Sequence, residues 1–181
     1  MTTKNLLLGG LTLLLFFSSC KKEVSELPAA TQTGAMTFGA KIDGKNWAPA
    51  RFGVVPATNL LEAFWSSTES IIITARNFSV EPTETIFELQ VGGLNDHQSV
   101  YPLNQTFSKP SHVGYGYFIK RTINPVDEWQ TSTENVGTVV ITKWDKTNHI
   151  LSGTFEFKAG STYTAGETIN VTDGIFDVKY Q

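Results

Sequence analysis

The sequence predicts an all-β protein: a single antiparallel β-sandwich over residues 36–181, preceded by a removable leader and a short linker. Three observations carry that expectation. Apolar side chains recur at every second position through most of the chain, the period of a strand with one buried face. Clusters of Gly, Asn, Asp and Pro separate these runs at short intervals. No stretch places apolar residues at the spacing of an amphipathic helix.

The elements follow in order. "MTFGAKID" sets Phe38, Ala40 and Ile42 against Thr37, Gly39 and Lys41, and Asp43-Gly44 gives a turn signal. "KNWAPARFGVV" reads as a returning edge segment, because Pro49 has no N–H to give a central ladder. "EAFWSST" and "SIIITARN" come next, the second rich in β-branched residues. "TIFELQVGG" puts Phe87, Leu89 and Val91 on one face, and "VGYGYFIKRT" puts Tyr115, Tyr117 and Ile119 opposite Gly114, Gly116 and Phe118.

The clearest hairpin is "NVGTVVITKWDKTNHILSGTFEFKAG", two alternating runs around "DKTN". Its second arm turns Leu151, Gly153, Phe155 and Phe157 one way, with Ser152, Thr154, Glu156 and Lys158 on the other side. "INVTDGIFDVKY" follows, with Phe176, Val178 and Tyr180 inward and Asp177 and Lys179 outward. Eight or nine short strands result. Their irregular spacing and a long loop over residues 93–112 favour a sandwich over a barrel, and no fixed-period repeat points to a propeller.

Ahead of this domain, "NLLLGGLTLLLFFSSC" runs from a single Lys4 through an apolar stretch to Ser18-Ser19 and Cys20, the only cysteine. The apolar stretch, about 12 residues, is too short for a membrane span, which needs roughly 20. This layout is that of an export signal over residues 1–19. A lone cysteine forms no intramolecular disulfide. Residues 21–35, "KKEVSELPAATQTGA", are small and polar and read as a flexible tether with Cys20; an ordered arm packed on the domain is the alternative.

"LLLFFSSC" resembles a bacterial lipobox, in which the cysteine after the cut is lipidated; Phe17 departs from the usual Leu. "KKE" is similar to the charged stretch that follows the lipidated cysteine in Bacteroidetes-type surface lipoproteins. The resemblance implies lipidation of Cys20, a membrane partner through that anchor, and an outer-membrane location with cell-surface display. Several acyl chains on one residue would hold stably, since each buried methylene contributes about 0.8 kcal/mol.

A second resemblance covers most of residues 36–181. "AKIDGKNW" at 40–47, "GTVVIT", "SGTFEF" and "VTDGIFDV" look like the marks of an uncharacterised all-β lipoprotein family of such bacteria. It implies a sandwich-like fold and an envelope location, and no activity.

Removing residues 1–19 takes out Lys4 and no acid, so Lys plus Arg falls from 14 to 13 against 17 acids, a formal charge of about −4. No basic stripe marks a nucleic-acid partner. His97, His112 and His149 are scattered, without a short-spaced metal-binding pair, and "LNDHQ" at 94–98 reads as a solvated turn. Asp127-Glu128 point to opposite sides of an extended strand, and Ser66-Ser67 lack the elbow of a hydrolase. These features predict a non-catalytic protein with no metal and no cofactor.

The candidate binding residues are Trp129, in the polar "NPVDEWQTSTEN", and Trp144, beside a turn and sharing a face with Thr138 and Thr142. Exposed indoles suit sugar rings, while the core is the commoner place for large rings. The expected role is therefore binding or structural, toward an envelope protein or, alternatively, a glycan.

Overall fold

The computed structural model describes residues 24–51, 59–66, 69–80, 83–107, 113–122 and 126–181. The leader, Cys20, Ser67 and His112 lie outside the described residues. The strands are β1 (Thr37–Ile42), β2 (Lys45–Trp47), β3 (Ala50–Arg51), β4 (Leu61–Ser66), β5 (Ser70–Val80), β6 (Thr83–Val91), β7 (Val100–Leu103), β8 (Tyr115–Arg121), β9 (Val126–Gln130), β10 (Gly137–Asp145), β11 (Ile150–Ser161) and β12 (Thr168–Lys179). No helix occurs among the described residues, and the fold is all-β.

In place of two separate sheets, hydrogen bonds join these strands into one. The path is β2-β1-β12-β11-β9-β8-β6-β5-β3, with β10 beside β11, β7 beside β10 and β4 beside β5. The reason lies in β11. Residues 150–157 pair with β10, while Gly160 and Ser161 pair with Gln130 and Trp129 of β9, so one strand continues both walls. The sheet then curls until β4 meets the residues after β12. Gln181 N donates to Ala63 O at 3.1 Å and Trp65 N donates to Gln181 O at 2.7 Å. One pair, β3 with β5, is parallel.

Turn chemistry sets the local register. Asp43 and Gly44 take φ of 47° and 79°, the left-handed pair that a two-residue hairpin loop needs. Pro102 is tolerated in β7 because that strand pairs on one side only, with β10. Neither β7 nor β9 stands out in the sequence, since "VYPL" holds a proline and "VDEWQ" is mostly polar.

Two bulges re-aim side chains. In β10, Ile141 pairs with Gly153 and Lys143 with Ser152, leaving Thr142 as the extra residue. The extra residue reverses the alternation. Val139 and Trp144 therefore share the inner face, opposite Phe155 and Leu151, and Trp144 leaves the Thr138/Thr142 face expected from simple alternation. In β12, Phe157 pairs with Val171 and Phe155 with Gly174, and Asp173 takes φ 51°.

The core is a set of packed rings: Phe38, Trp47, Phe87, Phe118, Phe155 and Phe157, with centroids 4.7–6.4 Å apart in tilted and edge-on contacts and one stacked pair, Phe155–Phe157. Glycine makes room for them. A Cβ on Gly116 would lie 2.7 Å from the Phe157 ring, and one on Gly174 would lie 2.6 Å from the Phe155 ring. Rings pressed against bare backbone are how this thin sheet reaches interior packing density.

Residues 25–35, expected as part of a flexible tether, lie instead along the outer face of the sheet. Asp177 points outward from β12 as predicted, yet it is 0% exposed because this arm covers it. Its carboxylate accepts from Thr31 Oγ1 (2.6 Å), Thr33 N (2.9 Å), Gly34 N (2.8 Å), Ala35 N (3.1 Å) and Ser152 Oγ (2.7 Å). Gly34 (φ 72°) and Met36 (φ 55°) then reverse the chain into β1.

Candidate functional site

One end of the sheet gathers side chains from four separate elements. Trp65 comes from β4, Trp144 from β10, His149 from the β10–β11 turn and Tyr180 from the residue after β12. Trp65 and Trp144 stack at 5.6 Å with 25° between planes. Tyr180 lies 5.8 Å from Trp65 and 5.3 Å from His149, the latter pair also stacked. Trp144 Nε1 donates to the Tyr180 hydroxyl at 3.1 Å.

Backbone features place each ring. The Thr142 bulge turns Trp144 inward, and the bonds from Gln181 to β4 bring Tyr180 beside Trp65. His149 takes φ 55° in the last position of the turn Lys146–His149. Asp145 holds that turn, accepting from Asn148 N at 2.9 Å and Asn148 Nδ2 at 2.8 Å. These bonds from Asn148 keep the Asp145 carboxyl below its ordinary range.

A charged rim borders the rings. Lys146 Nζ sits 4.2 Å from the Trp144 ring centroid and 2.7 Å from the Asp96 carboxylate. Trp65 and Trp144 are half-buried; Lys146, Asp96 and His149 are exposed. An apolar, aromatic patch with a polar border is the composition of a binding surface. It contains no nucleophile hydrogen-bonded to a base.

Trp129 is elsewhere. It is 7% exposed, belongs to the core and packs on Phe118 at 5.9 Å. The polar segment around it forms β9, whose alternation points this indole inward while Glu128 and Gln130 face out. Trp129 is thus corrected from an exposed binding residue to a core residue, and its buried Nε1 has no hydrogen-bond partner among the described residues. Trp144 is half-buried on the inner face of β10, packed against the core, with Trp65 stacked on it and Lys146 over its ring. Sequence reading did not pair Trp65, Tyr180, Lys146 and Asp96. Nothing in a linear pattern signals that β4 abuts the end of β12.

Two further features complete the surface. A shallow groove of about 680 Å³ runs beside the arm, lined by Leu27, Pro28, Ala30, Val140, Glu156 and Ile175 among others. On the outer face of β6 and β8, the Tyr115 hydroxyl donates to Glu88 Oε1 at 2.5 Å, both residues buried. Burial first, and then Glu88, push the Tyr115 hydroxyl well above the ordinary tyrosine range. Phe107 covers this pair, stacking on Tyr117 at 4.6 Å. Among the described residues, no group of three or more His, Cys, Asp or Glu side chains is placed to hold a metal ion.

Residues 37–178 match a family described as a domain of unknown function, DUF6252. The chain belongs to that family. The DUF6252 domain runs from the start of β1 to one residue short of the end of β12, so it includes Asp177, Trp65 and Trp144 but not Tyr180 or the arm. No curated protein and no solved structure matches the chain.

Proposed function

We propose that this DUF6252 protein is a lipid-anchored component of the cell envelope, of Bacteroidetes lipoprotein type, held in the outer membrane by Cys20. Its role is non-catalytic, as a binding or structural partner in an envelope assembly. The observation that carries the anchor is the run "LLLFFSSCKKE", an apolar stretch too short to span, ended by small residues and the lone cysteine. The half-buried Trp65–Trp144 pair on the buried Tyr180, with its Lys146–Asp96 rim, supports a binding role.

The stacked, half-exposed Trp65–Trp144 pair favours a second reading, a carbohydrate-binding accessory module. A sugar ring at Trp144 has to compete with Trp65 and Lys146, so the protein partner stays first.

Two measurements test this. Intact mass of the exported protein should show loss of residues 1–19 and acyl groups on Cys20, and Cys20→Ser should abolish both; an unacylated mature protein would refute the anchor. A thermal-shift screen against envelope oligosaccharides separates the binding readings. A ligand at 100 times its Kd adds about 2.7 kcal/mol, worth roughly 2–4 °C per kcal/mol in a chain of this size. A shift lost in Trp144→Ala would put the glycan reading first, and a flat screen keeps the protein partner.

A further inference from the structure

The arm has a direction. Ser25 O accepts from Asn46 Nδ2 at 2.9 Å, beside the β1–β2 turn. Pro28 then passes over Gly39, its Cδ 2.7 Å from where a Cβ would sit. By Thr31 to Ala35 the chain has reached Asp177, and Lys143 Nζ donates to Gln32 O at 2.9 Å. At Gly34 the neighbours are Lys179 and Ile150. The arm therefore runs antiparallel to β1, from the turn end of the sheet to the end bearing the aromatic cluster.

Strand register fixes the same axis independently. Ile42 pairs with Val171 near the start of β12, and Thr37 pairs with Asp177 near its finish. Asp43 is hydrogen-bonded to Asn170 at the turn end, while Tyr180 belongs to the aromatic end. Ten residues of strand from Asn170 to Tyr180 span roughly 30 Å. Cys20 precedes Ser25 by five residues, a link of no more than about 18 Å even fully extended.

Resting on the lipid-anchored reading, we propose that the pinned arm orients the domain on its membrane. The β1–β2 turn end faces the bilayer, and the Trp65–Trp144–Tyr180 end, with Lys146 and Asp96, stands roughly 30 Å further out. The Asn46–Ser25 bond and the seat of Pro28 over Gly39 hold the chain's exit at the turn end, and the bonds of Asp177 fasten the other end of the arm, so this is a stance rather than a loose attachment. If the arm were free to Met36, three times as much chain would separate domain from lipid.

The test uses the full chain, exported and acylated, reconstituted into phosphatidylcholine vesicles that carry a headgroup-linked quencher. A fluorophore is placed on Lys45→Cys at the turn end or on Thr147→Cys at the aromatic end, both exposed positions. Quenching at least threefold stronger at residue 45 is expected. Adding Asp177→Asn should shrink that contrast by lengthening the tether. Equal quenching in protein that floats with the vesicles would overturn the orientation and leave the anchor standing. Protein that neither floats nor carries acyl mass on Cys20 would refute the anchor, and the orientation with it.

Discussion

At Asp177 one carboxylate accepts from three backbone amides and two hydroxyls, and the consequence is electrostatic. Burial alone would push this carboxyl up, but the bonds from Thr31, Ser152, Ala35 and Thr33 outweigh it and hold the group well below the usual carboxylate range. A carboxyl lowered in the folded state stabilises fully above its unfolded pKa, about 3.9, and loses that contribution as pH falls below it. The arm should therefore resist protease at pH 5–7, begin to weaken below about pH 3.9, and become cleavable between residues 25 and 35 only as the pH falls through the depressed folded value, below about pH 3. Asp177→Asn replaces an acceptor with an amide that presents donors to donors. It should cost about 2–4 kcal/mol and expose the arm to cleavage even at neutral pH, as limited proteolysis and a denaturant melt would show. Wild-type-like resistance in that variant would remove Asp177 from its role. The two tryptophans chosen from sequence should likewise separate. Trp129→Ala empties a core site and should cost about 3–5 kcal/mol, whereas Trp144→Ala, at a half-buried site, should cost distinctly less and leave the cooperative melt intact. Polarity of neighbours could not distinguish them, because Glu128 and Gln130 alternate to the face of β9 opposite Trp129 and their polarity says nothing of the side the indole takes.

Within elements, single extra residues decide which face a side chain joins. Deleting Thr142 removes the extra residue and leaves Ile141, Lys143 and Trp144 in unbroken alternation opposite Gly153, Ser152 and Leu151, so Trp144 should stay on the inner face. The expected signature is an unchanged tryptophan emission with the Trp65 stack intact; a red shift would show that residue count in β10 does not place Trp144. Gly116 makes a complementary test from the opposite wall. An added methyl meets the Phe157 ring, so Gly116→Ala should destabilise by about 1–3 kcal/mol in a urea titration, despite alanine's lower backbone entropy cost. Most strands were legible in the sequence, because alternation and Gly, Asn and Asp turns are local properties. The Asp43-Gly44 turn lies where the pattern put it, and the β10–β11 hairpin turns at Lys146–His149, one residue past the expected "DKTN". What was not legible is pairing at a distance: Ser152 beneath Asp177, β9 on the last residues of β11, and Gln181 on β4. Each depends on where the sheet curls, and curl arises from the summed twist of all strands rather than from any one segment.

At the scale of the molecule, the curl replaces two facing sheets with one sheet that meets itself. The arm on its outer face and the aromatic end opposite the turns give the domain a polarity that the sequence pattern does not express. The ring also has an order of assembly. Beyond its hairpin with β2, β1 finds its other neighbour only in β12, some 130 residues later, and β4 finds its last neighbour in Gln181. Such long-range pairing makes folding slow, since the entropy of closing a long loop is lost before any contact compensates it. During synthesis the first 167 residues hold no complete wall around Phe38 and Phe87, and a nascent chain stopped there should be fully protease-sensitive. Only once residues 168–181 are available can the domain close. A polypeptide built this way stays threadable through a narrow channel until its final strand arrives.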